Sequence, residues 1–161
     1  MAENEIISYG NEVLRRKAEE VAEFDDEVRN LLSHMYEVMA ENKGLGLAAP
    51  QIGISKRIFV YDIGEGPHAL INPEIVGSKG EISSVEGCLS IPGLQGEVPR
   101  AQRVIVTGLN EEGKRVKIKA DGLMARVFQH EIDHLNGTMF VDRADPDTLE
   151  IISQSDEEEE D

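Results

Sequence analysis

A single segment limits the possible folds more than any other. Leu123, Met124, Val127, Phe128, Ile132 and Leu135 recur at helical spacing and cover most of the circumference of a helix over about 122–136. Asp121 stands at the cap position before it, and Gly137 supplies the stop after it. A helix that is apolar on nearly every side has to be packed on nearly every side, so this one is predicted to be central and largely buried. The two histidines it carries, His130 and His134, and the acid beside them, Glu131, are then costly unless something satisfies them.

The elements that enclose this helix can be read in outline. Val28, Leu31, Leu32, Met35, Val38 and Met39 keep helical spacing behind Asp25 and Asp26, which suit a helix N-terminus, and Gly44 follows the last periodic turn. Asn11 is placed to cap a short earlier helix with Leu14 and Ala18 on one face. From about position 57 to 120 the pattern changes to strands and turns. Residues 57–63 are β-branched and aromatic, and 69–72 and 74–76 are short apolar runs around Pro73. Further on, Val116, Ile118 and Ala120 alternate with Arg115, Lys117 and Lys119, the mark of a strand with one wet face. The run 103–109 precedes it across Asn110-Glu111-Glu112-Gly113, a fitting hairpin loop, so antiparallel pairing is expected. The fold class is α+β, with short antiparallel strands packed around a central buried helix.

Charge and cysteine content narrow the function. The 161 residues include 32 Asp and Glu against 16 Lys and Arg, a formal charge of −16. Six of those negative charges form the run at 156–161, and such a block is expected to stay disordered and solvated. An acidic surface repels phosphates, so direct nucleic-acid binding is not expected. One cysteine, Cys88, excludes an internal disulfide and with it a disulfide-framed secreted scaffold. Charged residues from Glu3 to Glu20 break up any secretory signal, and no window approaches the about 20 apolar residues of a membrane span. A cytoplasmic protein without membrane attachment is the expectation.

Three short segments carry the chemistry. In His130-Glu131-Ile132-Asp133-His134 the histidines are four apart, so both imidazoles lie on one helix face and can reach one metal ion, while Glu131 flanks them. Alone, the motif is also compatible with satisfied core or surface polar residues. A tetrahedral site needs one more protein ligand and an open position. Cys88, in Ser84-Val85-Glu86-Gly87-Cys88-Leu89-Ser90, offers a thiolate, although an isolated cysteine is more often an inert small residue. The third segment, Gly44-Leu45-Gly46-Leu47-Ala48-Ala49-Pro50-Gln51, lets backbone approach a neighbour closely, and Gln51 brings an amide that can donate to an oxyanion. It lacks the Gly-Lys-Ser/Thr ending of a phosphate loop.

Taken in order, 44–51, 86–90 and 129–137 resemble the three motifs of peptide deformylase, and the resemblance spans roughly residues 6 to 142. It implies a metal-dependent hydrolase that removes the formyl group from the N-terminal formyl-methionine of newly made polypeptides, releasing formate. Cys88, His130 and His134 would bind one divalent metal, Fe²⁺ in the cell, with Zn²⁺, Ni²⁺ or Co²⁺ in isolated preparations. Water on that metal would attack the formyl carbon, with Glu131 as general base and then acid, while the Gln51 side chain and the Leu89 N–H would donate to the formyl oxygen. Leu45, Gly46 and Gly87 would meet the extended peptide, and Leu45, Leu123, Val127 and the His130 ring would line the methionine pocket. Without the resemblance, Leu123 and Val127 would pass for ordinary core residues. The partners implied are formyl-methionyl nascent peptides, with transient proximity to the ribosome; the docking on ribosomal RNA seen in some relatives is not carried over, because the acidic tail would be repelled. Residues 1–145 would form the catalytic domain, followed by a short segment over 146–161 with one or two helical turns around 147–152.

The chain departs from the family pattern at Glu12, a position commonly Pro, and at Gln95, where some members carry a basic residue near the peptide path. Arg100 is a candidate basic contact in that area, and Arg126 either borders the peptide or points to solvent. His34 and His68 have no metal-ligand spacing to the motifs and are read as ordinary residues. Two rival readings are a zinc endopeptidase, which would need a His or carboxylate third ligand, and a peptide-binding module that has lost catalysis.

Overall fold

The computed structural model describes residues 6–152; the acidic run at 156–161 lies outside them. All four side chains of β2 (Ile58–Tyr61) are buried. Alternation sends Ile58 and Val60 into one apolar cluster and Phe59 and Tyr61 into another. A strand buried on both faces needs a layer on each side. One layer is α1 (Asp26–Glu41), whose Val28, Leu32, Met35, Val38 and Met39 join Ile58, Val60 and Ile71. The other is α2 (Gly122–Leu135), whose Ala125, Phe128, Ile132 and Leu135 join Phe59, Tyr61 and Leu70.

The sheet between these helices contains β1 (Gly46–Ala48), β2, β3 (His68–Lys79), β6 (Arg103–Leu109) and β7 (Arg115–Asp121), in that spatial order and antiparallel throughout. A smaller antiparallel sheet, in the order β4 (Ile82–Cys88), β5 (Ile91–Arg100), β8 (Glu150–Ile151), is joined to α2 by side-chain hydrogen bonds. The class is α+β, as the patterning predicts.

Several expectations hold in detail. The Asp25 side chain accepts the Val28 N–H at 3.1 Å to cap α1. Asn110 accepts the N–H groups of Glu112 and Lys114, closing the β6–β7 loop. The far end of α2 is held by Arg57, which donates to the Leu135 carbonyl and the Asn136 side chain, placing a cation at the negative end of the helix.

Elsewhere the structure corrects them. The early helix is a single 3-10 turn over Glu12–Arg15 capped by Asn11, and Ala18 lies beyond it, buried, with its N–H on the Leu135 carbonyl. The two runs around Pro73 are one strand, β3, whose register shifts between Ile71 and Glu74. There Asn72 adopts φ 53° and bonds both backbone groups of Val21. Asp121 precedes α2 but makes no side-chain cap, pairing with Arg103 at 3.3 Å instead. In place of helical turns around 147–152 there is a 3-10 turn over Pro146–Thr148 and then β8, because the open edge of β5 offers backbone partners that an isolated turn lacks. No helix among the described residues is long and apolar enough to cross a membrane.

Candidate active site

His130 and His134 lie one turn apart on α2, with ring centroids separated by 5.0 Å. Cys88 comes from the end of β4, and its Sγ lies 3.3 Å from His134 Nε2. One ligand atom from each of the three falls within 4.8 Å of the others. His134 is fully buried and its Nδ1 has no hydrogen-bond partner. A thiolate and two imidazoles converging in this way fit a divalent cation, which would take His134 through Nε2, the nitrogen that faces Cys88.

Charges hold β4 and β5 against α2. The buried Arg100 guanidinium grips Glu86 through two bonds of 2.8 and 2.9 Å and donates to Asp133 at 2.7 Å. Glu86 also lies 3.0 Å from His130 Nδ1, and Asp133 accepts twice from Arg143. A carboxylate on Nδ1 fixes the His130 ring and leaves Nε2 as its ligand atom. Burial alone would raise the Glu86 carboxyl, but His130 and Arg100 reverse this and hold it at about 2. His134 is driven well below its ordinary value, first by burial and then by His130, Arg100 and Arg15, and so stays neutral as a ligand must.

Glu131 sits beside the triad. Burial pushes its carboxyl up to about 7, and Oε1 has no partner. A Cβ added to Gly46 would lie 2.7 Å from Glu131 Oε2, so any larger residue there would force this carboxylate to move. Similarly, a Cβ on Gly44 would meet Leu89 Cδ1 at 3.0 Å. Gln51 is buried; its Oε1 accepts the Ala48 N–H at 2.9 Å, and Nε2 faces Ser90 Oγ at 3.2 Å and Cys88 Sγ at 3.7 Å. Leu89 occupies the turn between β4 and β5.

These groups meet at a cleft of about 670 Å³. Leu45, Gly46, Gln51, Gly87, Cys88, Leu89, Leu123, Val127, His130 and Glu131 all line it, whereas His134 lies behind the lining. Leu123 is 42% exposed and opens onto the cleft rather than filling the core; Val127 does both. Arg126 also lines the cleft and donates to the Val85 carbonyl at 3.2 Å. Arg100 is not a peptide contact, since its guanidinium is buried between Glu86 and Asp133. His68 pairs with Glu111 at 3.0 Å, far from this chemistry in role. The sequence reading missed the structural parts of Arg100 and Asp133; the one available signal was that Glu86 and Asp133 stand inside the metal motifs.

A family model described as polypeptide deformylase matches residues 3–150. The chain belongs to the polypeptide deformylase family. The peptide deformylase of Carboxydothermus hydrogenoformans is 51% identical over 145 residues, covering 90% of this chain and 95% of that protein. The crystal structure of the deformylase from Thermotoga maritima is similar at 45% identity and a TM-score of 0.85, covering 88% of this chain and 97% of that one. That of Synechococcus elongatus in complex with actinonin is 42% identical with a TM-score of 0.86, covering 88% and 80%. This deformylase is a hydrolase of protein biosynthesis that removes the N-formyl group from nascent peptides. The family is metal-dependent, and Cys88, His130 and His134 form a possible site.

Proposed function

We propose that Cys88, His130 and His134 hold the catalytic metal and that Glu131 moves the protons of the reaction. The observation that carries this is Glu131 Oε1, buried and unpartnered beside the three converging donors. A divalent cation held there supplies Lewis acidity, which acidifies water and polarises a carbonyl. Glu131 takes the proton of the water that adds to the formyl carbon and returns it to the leaving amine as the C–N bond breaks, giving formate and a free N-terminus. Negative charge builds on the formyl oxygen, where Gln51 Nε2 and the Leu89 N–H donate. Fe²⁺ is the metal assigned in the cell; the same donors suit Zn²⁺, Ni²⁺ or Co²⁺.

Among the described residues the cleft lies between two strand edges that carry no further strand, β1 of the larger sheet and β4 of the smaller. An extended peptide pairing with Leu45, Gly46 and Gly87 would bridge those edges by strand addition. Leu45, Leu123 and Val127, with the His130 ring, would enclose the methionine side chain. The catalytic domain is assigned to 1–145, with 146–161 as an appended segment. The enzyme would work in the cytoplasm, close to the ribosome for moments at a time, with its net negative charge opposing direct contact with RNA.

Protein purified without oxygen, analysed for metals and incubated with formyl-Met-Ala-Ser should contain iron and release formate while leaving an unformylated protein uncut. Glu131→Gln should keep close to one metal per chain and lose activity by about 10²–10⁴-fold, the range of general acid–base contributions. Undiminished turnover would remove Glu131 from the mechanism, and cleavage inside the unformylated chain would favour an endopeptidase.

A further inference from the structure

Seven polar or charged side chains are buried among the described residues, and six of them already have a part. Glu86, Arg100 and Asp133 join the smaller sheet to α2, His134 and Glu131 belong to the proposed metal site, and Gln51 is the proposed side-chain donor. The seventh is Ser90, 1% exposed, in the turn that follows β4. A buried hydroxyl is costly unless it is bonded. This one accepts from Gln51 Nε2 at 3.2 Å, across 39 positions of sequence. Leu89 and Ile91 line the cleft, but Ser90 between them does not.

The Gln51 amide is oriented from both ends. The Ala48 N–H can only donate, so the atom it meets at 2.9 Å is the oxygen, and the nitrogen is turned toward Ser90 and Cys88. Nε2 carries two hydrogens. With Ser90 Oγ taking one, the other is left to the longer contact with Cys88 Sγ, at 3.7 Å, or to an oxygen entering the cleft. The two chain segments are also fastened to each other from outside the three motifs. Ile7 donates its N–H to the Gln51 carbonyl at 2.6 Å, and Tyr9 donates its N–H to the Ser90 carbonyl at 2.8 Å.

We propose that Ser90 is a positioning residue of the reaction: its hydroxyl holds the Gln51 amide in the orientation that stabilises charge on the formyl oxygen, and residues 7–9 keep the two segments at the spacing this needs. The proposal rests on the reading of Gln51 as an oxyanion donor. Such donors are effective because they are aimed before the charge develops. A glutamine amide free to rotate would have to be ordered in every turnover, at a cost in side-chain entropy. Ser90 lies behind the cleft lining, so it reaches the substrate only through Gln51. The charge on the formyl oxygen grows in the transition state, so the loss of this aim falls on kcat and spares KM.

The test is a double-mutant cycle on metal-loaded enzyme with formyl-Met-Ala-Ser, joined to a spectrum that needs no turnover. Ser90→Ala should lower kcat by about 10–100-fold, with KM within about twofold and metal content unchanged. Gln51→Ala, which removes the donor outright, should lower kcat by about 10²–10³-fold. Ser90→Ala added to Gln51→Ala should change kcat by less than about twofold, since the group it aims is gone. Equal losses from Ser90→Ala in both backgrounds would overturn the proposal and leave Ser90 a purely structural residue. In ¹⁵N-labelled protein loaded with Zn²⁺, the Gln51 side-chain amide signals are identified by their loss in Gln51→Ala. They should shift in Ser90→Ala, and signals that stay in place would equally overturn the proposal. Undiminished kcat in Gln51→Ala would sink the donor reading and the catalytic half of this proposal with it; the amide signals would still decide whether Ser90 holds the side chain.

Discussion

The contact between α1 and the larger sheet is apolar throughout: Val28, Leu32, Met35 and Val38 meet Leu47, Ile58, Val60 and Ile71. Where α2 meets β4 and β5, the buried groups are instead Glu86, Arg100, Glu131, Asp133 and His134. The two interfaces do different work. Apolar packing is non-directional and tolerates side chains of similar volume. A buried guanidinium with three defined bonds accepts one geometry, and that geometry brings Cys88 on β4 to His130 and His134 on α2. Buried ions are a weak means of gaining stability, because desolvation offsets much of their attraction. Their use here fits a region where relative position matters more than strength.

The largest effect should come from Arg100→Met, which leaves Glu86 and Asp133 buried without their shared partner. A loss of about 3–5 kcal/mol is expected, together with weaker metal retention as β4 loses its hold on α2. Met35→Leu in the apolar interface, also fully buried, should cost less than about 1.5 kcal/mol and leave the metal bound. Denaturant midpoints and metal content on the two variants measure the contrast. Equal losses would mean that the two interfaces are not different in kind.

The same contrast explains what the sequence disclosed. The α1 interface was legible because Val28, Leu32, Met35 and Met39 repeat at helical spacing behind Asp25. The β6–β7 hairpin was legible because Val116, Ile118 and Ala120 alternate with lysine and arginine. β5 was not, because Pro92, Gly93, Gly96 and Pro99 interrupt any strand pattern and its inner face ends on a charged residue, Arg100. Burial of that arginine depends on Glu86 and Asp133, 14 and 33 positions away, and no local window contains all three. The candidate site residues were named from three motifs whose order is specific to a family, not from hydropathy. β8 escaped for another reason, since its strand conformation is set by the open edge of β5 rather than by residues around Glu150.

Gly46 marks the seam between the two regions. It belongs to β1, whose Leu47 packs toward α1, yet the space a side chain at this position would fill is taken by the Glu131 carboxylate on α2. Gly46→Ala would place a methyl group 2.7 Å from Glu131 Oε2, and the carboxylate, the far end of a side chain, must give way. Stability should change little, while kcat falls by about 10²-fold, the scale associated with misplacing a catalytic group by about 1 Å. Full activity with an unchanged KM would show that Glu131 can shift freely, and the seam would then carry no constraint.

The smallest effect is expected from an exposed counterpart of the Arg100 network, the pair between Arg15 and Asp142. Partial burial favours the neutral Asp142 carboxyl, but Arg15 and the Met139 N–H win and hold it below its ordinary range. A carboxyl with a depressed folded-state pKa stabilises the fold above its unfolded value of about 3.9, and this contribution is lost as pH falls through the folded value. Because both side chains are more than a third exposed, water screens the pair and it should contribute no more than about 1 kcal/mol. Asp142→Asn should therefore lower the urea midpoint slightly at pH 7 and converge on the unmodified enzyme at acid pH. A gap as wide as that of Arg100→Met, or one that persists at a pH low enough to protonate the Asp142 carboxyl in the folded as well as the unfolded chain, would show that Asp142 acts by packing rather than by charge.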